Sequence, residues 1–100
     1  MDRIECSIWD SGRRGWGLKV PGGPEVRSLN FNRSLGCIAL VLDGSEVWIN
    51  IDKKSFWSTE SAELLNQGLA EYIARHNLQP SGRVWLNVIE PGARFEVELV

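Results

Sequence analysis

The sequence predicts an α+β fold: a small, mostly antiparallel β-barrel or pseudobarrel of about six or seven strands with one principal helix near residues 59–77. Leu65, Leu69, Tyr72 and Ile73 recur three or four residues apart, which places them on one face of a helix. Most of the remaining chain alternates polar and apolar residues or is continuously apolar, as strands are. So many short strands would leave open sheet edges unless the sheet closed on itself, which favours a barrel.

Turn-forming residues divide the predicted strands. A glycine-rich, hairpin-type loop occupies residues 10–17, and PGGP at 21–24 cannot continue a strand ladder. The run CIALVLD at 37–43 is almost continuously apolar, which is typical of a strand covered on both faces. The predicted strands are 3–9, 18–20, 26–31, 37–43, 46–52, 83–89 and 94–100.

The principal helix has a predicted cap and one weak point. Ser58 or Thr59 can cap its first turn by accepting a backbone hydrogen bond. Gly68 costs about 1 kcal/mol relative to alanine inside a helix. Two arrangements therefore fit the sequence, one continuous helix or a short turn followed by a helix at 69–77.

Composition predicts a single domain over residues 1–100, because 43% hydrophobic and 24% charged residues are typical of a globular chain. The net charge of −2 argues against strong non-specific attraction to polyanions. The charge is uneven, since residues 1–54 carry eight basic and seven acidic side chains and residues 55–100 carry three and six. The longest apolar run is too short to span a bilayer and no signal core is present, so we expect a cytoplasmic protein without membrane contact.

The sequence gives little support for catalysis. Cys6 and Cys37 lie in apolar runs without metal-knuckle spacing, and we interpret both as small core hydrophobes. His76 is the single histidine, and no serine or cysteine stands in a nucleophile motif with it. The acidic residues show no metal-ligand spacing. We therefore predict that the chain is not an enzyme and uses no metal or cofactor.

Two loops combine cations with a tryptophan. Arg13 and Arg14 precede Trp16, and the Lys53-Lys54 pair precedes Trp57. Basic residues beside an exposed aromatic ring can bind phosphate and stack on a base. The alternative interpretation is two solvated loops with ordinary surface charges.

The run Leu65-Asn-Gln-Gly-Leu-Ala-Glu-Tyr-Ile73, with Leu78 ten residues after the glycine, resembles the characteristic segment of B3-type DNA-binding pseudobarrel domains. That segment reads Leu-x-x-Gly-Trp-x-x-Phe-Val, followed by a leucine and Gly-Asp. The preceding DGSEVWINI and the following RVWLNV and RFEVEL are similar to the neighbouring strands of the family. The resemblance covers roughly residues 43–100, and the family's first helix has no clear counterpart in our interpretation of the N-terminal half.

The resemblance implies a barrel that holds duplex DNA in a concave face, with two loops acting as arms in the major groove. Lys53 and Lys54 occupy the region of the second arm, and Arg13 and Arg14 are the best candidates for the first. Arginine suits contacts to guanine and lysine suits phosphate. The candidate DNA-binding residues are Arg13, Arg14, Trp16, Lys19, Arg27, Arg33, Lys53, Lys54 and Trp57.

The leading hypothesis is a non-catalytic module that binds double-stranded DNA. The alternative is a small acidic interaction domain that docks a protein partner through its aromatic surface. A ligand-binding or enzymatic barrel ranks last because no convergent polar site is evident. Convergence of Arg13, Arg14, Lys53 and Lys54 on one face would favour the first hypothesis, and their dispersal would favour the second.

Overall fold

The structure, a computed structural model, describes residues 3–100 as seven strands and three α-helices, with two short 3-10 turns at Gly12–Arg14 and Arg33–Leu35. The helices are α1 (Gly23–Asn30), α2 (Lys54–Ser58) and α3 (Gln67–Arg75). The strands are β1 (Arg3–Asp10), β2 (Trp16–Val20), β3 (Cys37–Leu42), β4 (Ser45–Asn50), β5 (Ala62–Leu64), β6 (Arg83–Glu90) and β7 (Arg94–Leu99).

All seven strands form one curled sheet, a half-barrel, in the order β4-β3-β7-β6-β1-β2-β5. The sheet is mixed, which departs from the antiparallel pairing that the sequence predicts. The parallel pair is β3 with β7, in which Leu40 lies opposite Phe95. A tight turn makes β7 antiparallel to β6, and this direction leaves β7 parallel to β3, its other neighbour. The coarser prediction, a small α+β barrel-like fold, is confirmed.

The predicted strand at 26–31 is wrong, because most of that segment belongs to α1. The inward positions Gly23, Val26, Arg27 and Asn30 recur at helical spacing, with Gly23 and Arg27 fully buried. A proline in the first turn favours a helix start at this point. Pro24 interrupts a strand ladder, as the sequence predicts, and it also starts a helix.

The principal helix is shorter than predicted. Residues 62–64 form β5, and α3 begins only after Asn66, whose side-chain oxygen accepts a hydrogen bond from the Gly68 backbone N–H at 2.7 Å. The hydroxyl group of Thr59, a predicted cap, instead lies 2.7 Å from the Ser55 carbonyl oxygen at the end of α2. The second arrangement, a short turn followed by a helix at 69–77, is therefore closer to the structure, although a strand stands in place of the turn and the helix includes Gly68 and ends at Arg75.

The start of α3 bridges the two edges of the curled sheet. The Asn66 side-chain nitrogen donates to the Trp48 carbonyl oxygen of edge strand β4 at 3.0 Å. A Cβ atom on Gly68 would lie 2.7 Å from the Val47 side chain, so glycine allows the helix to lie directly on β4. Gly68 thus serves close packing at the barrel seam.

The core fills the inside of the half-barrel. Leu69, Tyr72 and Ile73 are buried there, as the helical spacing predicts. Cys6 is also buried, and desolvation, with a smaller effect of the Glu5 charge, raises the pKa of its thiol to about 12. Cys37 is half-buried on the outer face of the sheet, which corrects its assignment to the core.

The C-terminal end of α3 is attached to the turn between β3 and β4. Asp43 accepts hydrogen bonds from the Arg75 guanidinium at 3.2 Å and lies 2.7 Å from His76 Nε2. The hydrogen bond with His76, followed by that with Arg75, lowers the pKa of the Asp43 carboxyl against an opposing desolvation effect. The charged form of Asp43 therefore favours the folded state.

Gly17→Ala tests whether β5 depends on close contact with β2. The new Cβ would lie 2.3 Å from the Leu64 carbonyl oxygen, a backbone atom that has little room to move. We expect urea unfolding to show a loss of about 3 kcal/mol. Gly44→Ala, in open space at a φ of 82°, should lose only about 1 kcal/mol from left-handed backbone strain. Equal losses would show that β5 moves away freely.

Asp43→Asn tests the attachment of α3 as a function of pH. The folded carboxyl has a lowered pKa, whereas the unfolded carboxyl keeps its ordinary value near 3.8. The stabilisation is therefore present above pH 3.8 and is lost as pH falls through the lowered folded value. Denaturation of both proteins between pH 2 and 6 should give stability curves that converge at the acidic end. Curves that stay parallel would contradict this account.

Candidate nucleic-acid interface

A cleft of about 430 Å³ lies beside edge strand β5 and gathers three of the predicted cations. Arg14 comes from the β1–β2 loop, Lys19 from β2, and Lys53 from the connection that follows β4. The other lining residues are polar except for one phenylalanine: Ser55, Phe56, Thr59, Ser61 and Glu63. The two loops that the sequence marks as basic therefore meet at one surface.

The short length of β5 explains the convergence. β1 and β4 run in opposite directions, so the β1–β2 loop and Lys53 approach the cleft from opposite ends of the sheet. β5 has three residues and spans only about 10 Å, a distance that long basic side chains can bridge from both ends. A longer edge strand would hold Arg14 and Lys53 apart.

Trp9 positions two of the cations. The Lys19 Nζ atom lies 4.1 Å from the centre of the Trp9 ring, and the Arg14 Cζ atom lies 5.7 Å from it. The hairpin register explains the closer contact, because Ser7 lies opposite Lys19 and Trp9 lies opposite Gly17, so Trp9 and Lys19 are diagonal neighbours. The ring supports both cations from the outer face of the sheet.

Glu63 is the single carboxylate lining the cleft, and it pairs with Arg14 at 3.0 Å. Three cations against one carboxylate leave a positive site. The hydroxyl group of Thr59 is engaged with the Ser55 and Ser61 carbonyl oxygens at 2.7 and 2.9 Å, which fixes the turn after α2. Hydroxyl groups and cations at one cleft can donate hydrogen bonds to an anion.

Arg13 and Lys54 are exposed next to the cleft without lining it. Neither side chain makes an ion pair within residues 3–100. Trp16 lies elsewhere, half-buried in a separate groove against Ile73 and Leu78. The structure therefore places Trp16 with the packing of α3 rather than with the basic cleft.

Arg27 is fully buried, which corrects its assignment as a surface contact. Its Nη1 atom donates to the Val20 carbonyl oxygen at 3.3 Å, whereas Nε and Nη2 have no hydrogen-bond partner among the described residues. Desolvation lowers the pKa of the guanidinium, and the nearby Glu60 charge partly opposes this. The Arg27 side chain thus extends inside the fold from α1 to the end of β2.

Trp57 is only 7% exposed, and its indole N–H donates to the Ile51 carbonyl oxygen at 2.7 Å, so its ring is a core group rather than a stacking platform. The Arg33 Cζ atom lies 5.3 Å from the centre of that ring. Arg33 and Trp57 line a second cleft, which they share with Phe31 and Gly92. Arg33 and Lys53 therefore belong to different clefts.

Sequence reasoning missed Trp9, Glu63 and the hydroxyl groups as parts of the cleft. Trp9 could have been found by counting the hairpin register outward from the 10–17 loop, which places it diagonal to Lys19. Glu63 could not have been found in this way, because the sequence assigns the residues around it to a helix. Its pairing with Lys19 requires strand β5.

Within residues 3–100, no three His, Cys, Asp or Glu side chains lie together as potential metal ligands. None of the helices described in that range is long and apolar enough to cross a membrane. Comparisons with protein-family models, curated proteins and solved structures give no match to this chain.

Proposed function

We propose that this chain is a non-catalytic module that binds duplex DNA, and that the cleft beside β5 holds the phosphate backbone. The observation that carries the proposal is the convergence of Arg14, Lys19 and Lys53 from two loops and a strand on one cleft. Convergence of this kind is expected of a binding surface and is not expected of two loops that carry unrelated surface charges.

The chemistry of the cleft suits phosphate better than base edges. Lysine ammonium groups act as point charges toward phosphate, and serine hydroxyl groups donate to phosphate oxygens. Contacts of this kind fix the position of a protein on the duplex without reading its sequence. Arg13, exposed at the adjacent loop, is the group that we assign to a base edge, since arginine binds guanine through two hydrogen bonds.

The distribution of acidic residues fits this orientation. The outward-facing carboxylates of β7, Glu96 and Glu98, lie on a strand that three others separate from β5 in the sheet order. A duplex at the cleft would therefore meet the cationic side of a chain whose net charge is negative. The protein would be a polarised molecule in which one edge attracts the polyanion.

The resemblance of residues 43–100 to B3-type domains supports the same function. The two loops that the resemblance assigns as arms are the loops that supply Arg14 and Lys53. The family pattern also includes a first helix, and α1 lies in the N-terminal half where no counterpart was evident from the sequence. Fold analogy alone does not establish binding, so the cleft carries the argument.

Lys19→Ala with Lys53→Ala tests the cleft directly. Fluorescence anisotropy with a mixed pool of labelled duplexes should show affinity reduced about tenfold at low salt, because two phosphate contacts are lost. The slope of log affinity against log salt concentration should become shallower by about 2. Lys53 is exposed and Lys19 is half-buried against Trp9, so thermal unfolding should show a loss of no more than about 1 kcal/mol.

Arg75→Ala with Arg83→Ala is the matched control, since it removes two positive charges from exposed residues outside the cleft. It should leave the salt slope unchanged. An equal loss of affinity in both double variants would indicate attraction by overall charge and would contradict the cleft. Absence of wild-type binding at low salt would overturn the DNA proposal and favour the protein-interaction alternative.

Glu63→Gln should strengthen duplex binding. The Glu63 carboxylate holds Arg14 at 3.0 Å and occupies the position of a competing anion. Removing an exposed charge pair of this kind changes free energy by up to about 1 kcal/mol, or roughly fivefold in affinity. The same anisotropy titration measures the gain, which should disappear in the Arg14→Ala background. A loss of affinity would show that Glu63 orients Arg14 for binding instead of competing with DNA.

A further inference from the structure

A second surface lies at the opposite edge of the sheet, on the outer face of β3. Ile38, Leu40 and Leu42 of this strand point into the core, whereas Cys37 and Val41 are half-buried on the outside. A shallow cleft of about 250 Å³ follows the outer face. The strand has apolar side chains on both faces, which is typical of strands that are covered on both sides, yet the outer cleft is open to solvent.

Trp48 stands on this surface and is 55% exposed, the most exposed tryptophan within residues 3–100. It lies directly opposite Ala39 in the β3–β4 pairing. Leu35, 46% exposed, lines the same cleft. Large apolar side chains clustered around an open cleft mark an interaction site more often than isolated ones do.

Three other tryptophans have a cation of the chain close to the ring, and Trp48 does not. The Lys19 Nζ atom lies 4.1 Å from the centre of the Trp9 ring, and the Arg3 Cζ atom lies 4.1 Å from the centre of the Trp85 ring. Trp57 has Arg33 at 5.3 Å. Within residues 3–100, Trp16 and Trp48 have no cation over their rings, and of these two Trp48 is the exposed one. A positive group over an indole face is favourable, and here the chain does not supply one.

The charges around Trp48 are predominantly acidic. Glu46 lies two residues before Trp48 on the same face of β4, opposite Val41 of β3. Glu96 of β7 lies opposite Val41 on its other side. Arg94 also lines the cleft, but it is held by Glu46 and by Glu90, the latter at 2.9 Å. Glu46 and Glu90 pair with the single guanidinium and Glu96 adds a third carboxylate on this face, so carboxylates outnumber cations and the surface is complementary to positive charge.

We propose that the outer face of β3 and β4 docks a basic segment of a partner protein. A lysine or arginine of that segment lies over the Trp48 ring toward Glu46, and a neighbouring apolar side chain covers Cys37 and Leu35. This surface belongs to β3 and β4, at the other edge of the sheet from β5. The proposal is therefore independent of DNA binding, and either can fail without the other.

The test uses a phage-displayed library of random dodecapeptides, selected on the full chain and counter-selected on its Trp48→Ala variant. Selected sequences should be enriched in lysine or arginine next to an apolar residue. Individual peptides should bind at least tenfold more weakly to Trp48→Ala. Trp85→Ala, which removes a tryptophan that already carries its own cation, is the matched control and should change the affinity less than twofold.

Cys37 provides a second readout at the surface. Cys6 is buried and its thiol pKa is about 12, so Cys37 is the cysteine expected to react with iodoacetamide in the folded protein. Bound peptide should slow this reaction in the wild type and should have no effect on the rate in Trp48→Ala. Replacing the peptide's lysines with norleucine should abolish the protection.

Four outcomes would overturn the proposal. The selection could yield no peptide that depends on Trp48, or it could yield acidic or uncharged sequences. The norleucine peptide could protect Cys37 as well as the lysine peptide does. Sedimentation could show a dimer that dissociates in Trp48→Ala, in which case a second copy of the chain covers the surface instead of a basic partner.

Discussion

The contact between Gly17 and Leu64 is the constraint on which the cleft depends. Leu64 can approach β2 closely only because Gly17 has no side chain, since a Cβ atom there would lie 2.3 Å from the Leu64 carbonyl oxygen. This approach adds β5 to the sheet and places Glu63 opposite Lys19. The following residues then reach the other edge of the sheet through Asn66. The close approach at Gly17 thus places β5, and with it the site beside this strand.

The parts of the fold that the sequence predicts are those with strong periodicity. The buried face of α3 follows from the spacing of Leu69, Tyr72 and Ile73, and the strands β1, β6 and β7 follow from alternation. α1 was missed because its buried position is held by Arg27, a residue that periodicity treats as polar. β5 was missed because three residues are too few to show alternation, and its pairing is set by Gly17, 45 or more positions earlier.

The candidate site was predicted in part for a related reason. Cations near a loop can be identified from local sequence, and Arg14, Lys19 and Lys53 were found in this way. Whether an aromatic ring is available for binding depends on tertiary burial, which local sequence does not report. Trp57 was predicted to be available for binding, but it is buried in the core. Trp9 was not predicted as part of the site, because no basic motif lies beside it in the sequence, but its ring contacts Lys19.

The tryptophans also indicate how the chain separates its two surfaces. On the outer face, Trp9 and Trp85 are half-buried and each has a cation of the chain itself over its ring, so they offer a partner less free ring surface than Trp48 does. Trp48 remains uncovered, and its neighbour Arg94 is neutralised by Glu46 and Glu90. A polyanion is repelled by the carboxylates around Trp48, and a basic segment is repelled by the cleft beside β5. The charge pattern therefore favours chemically opposite ligands at the cleft beside β5 and at the surface around Trp48.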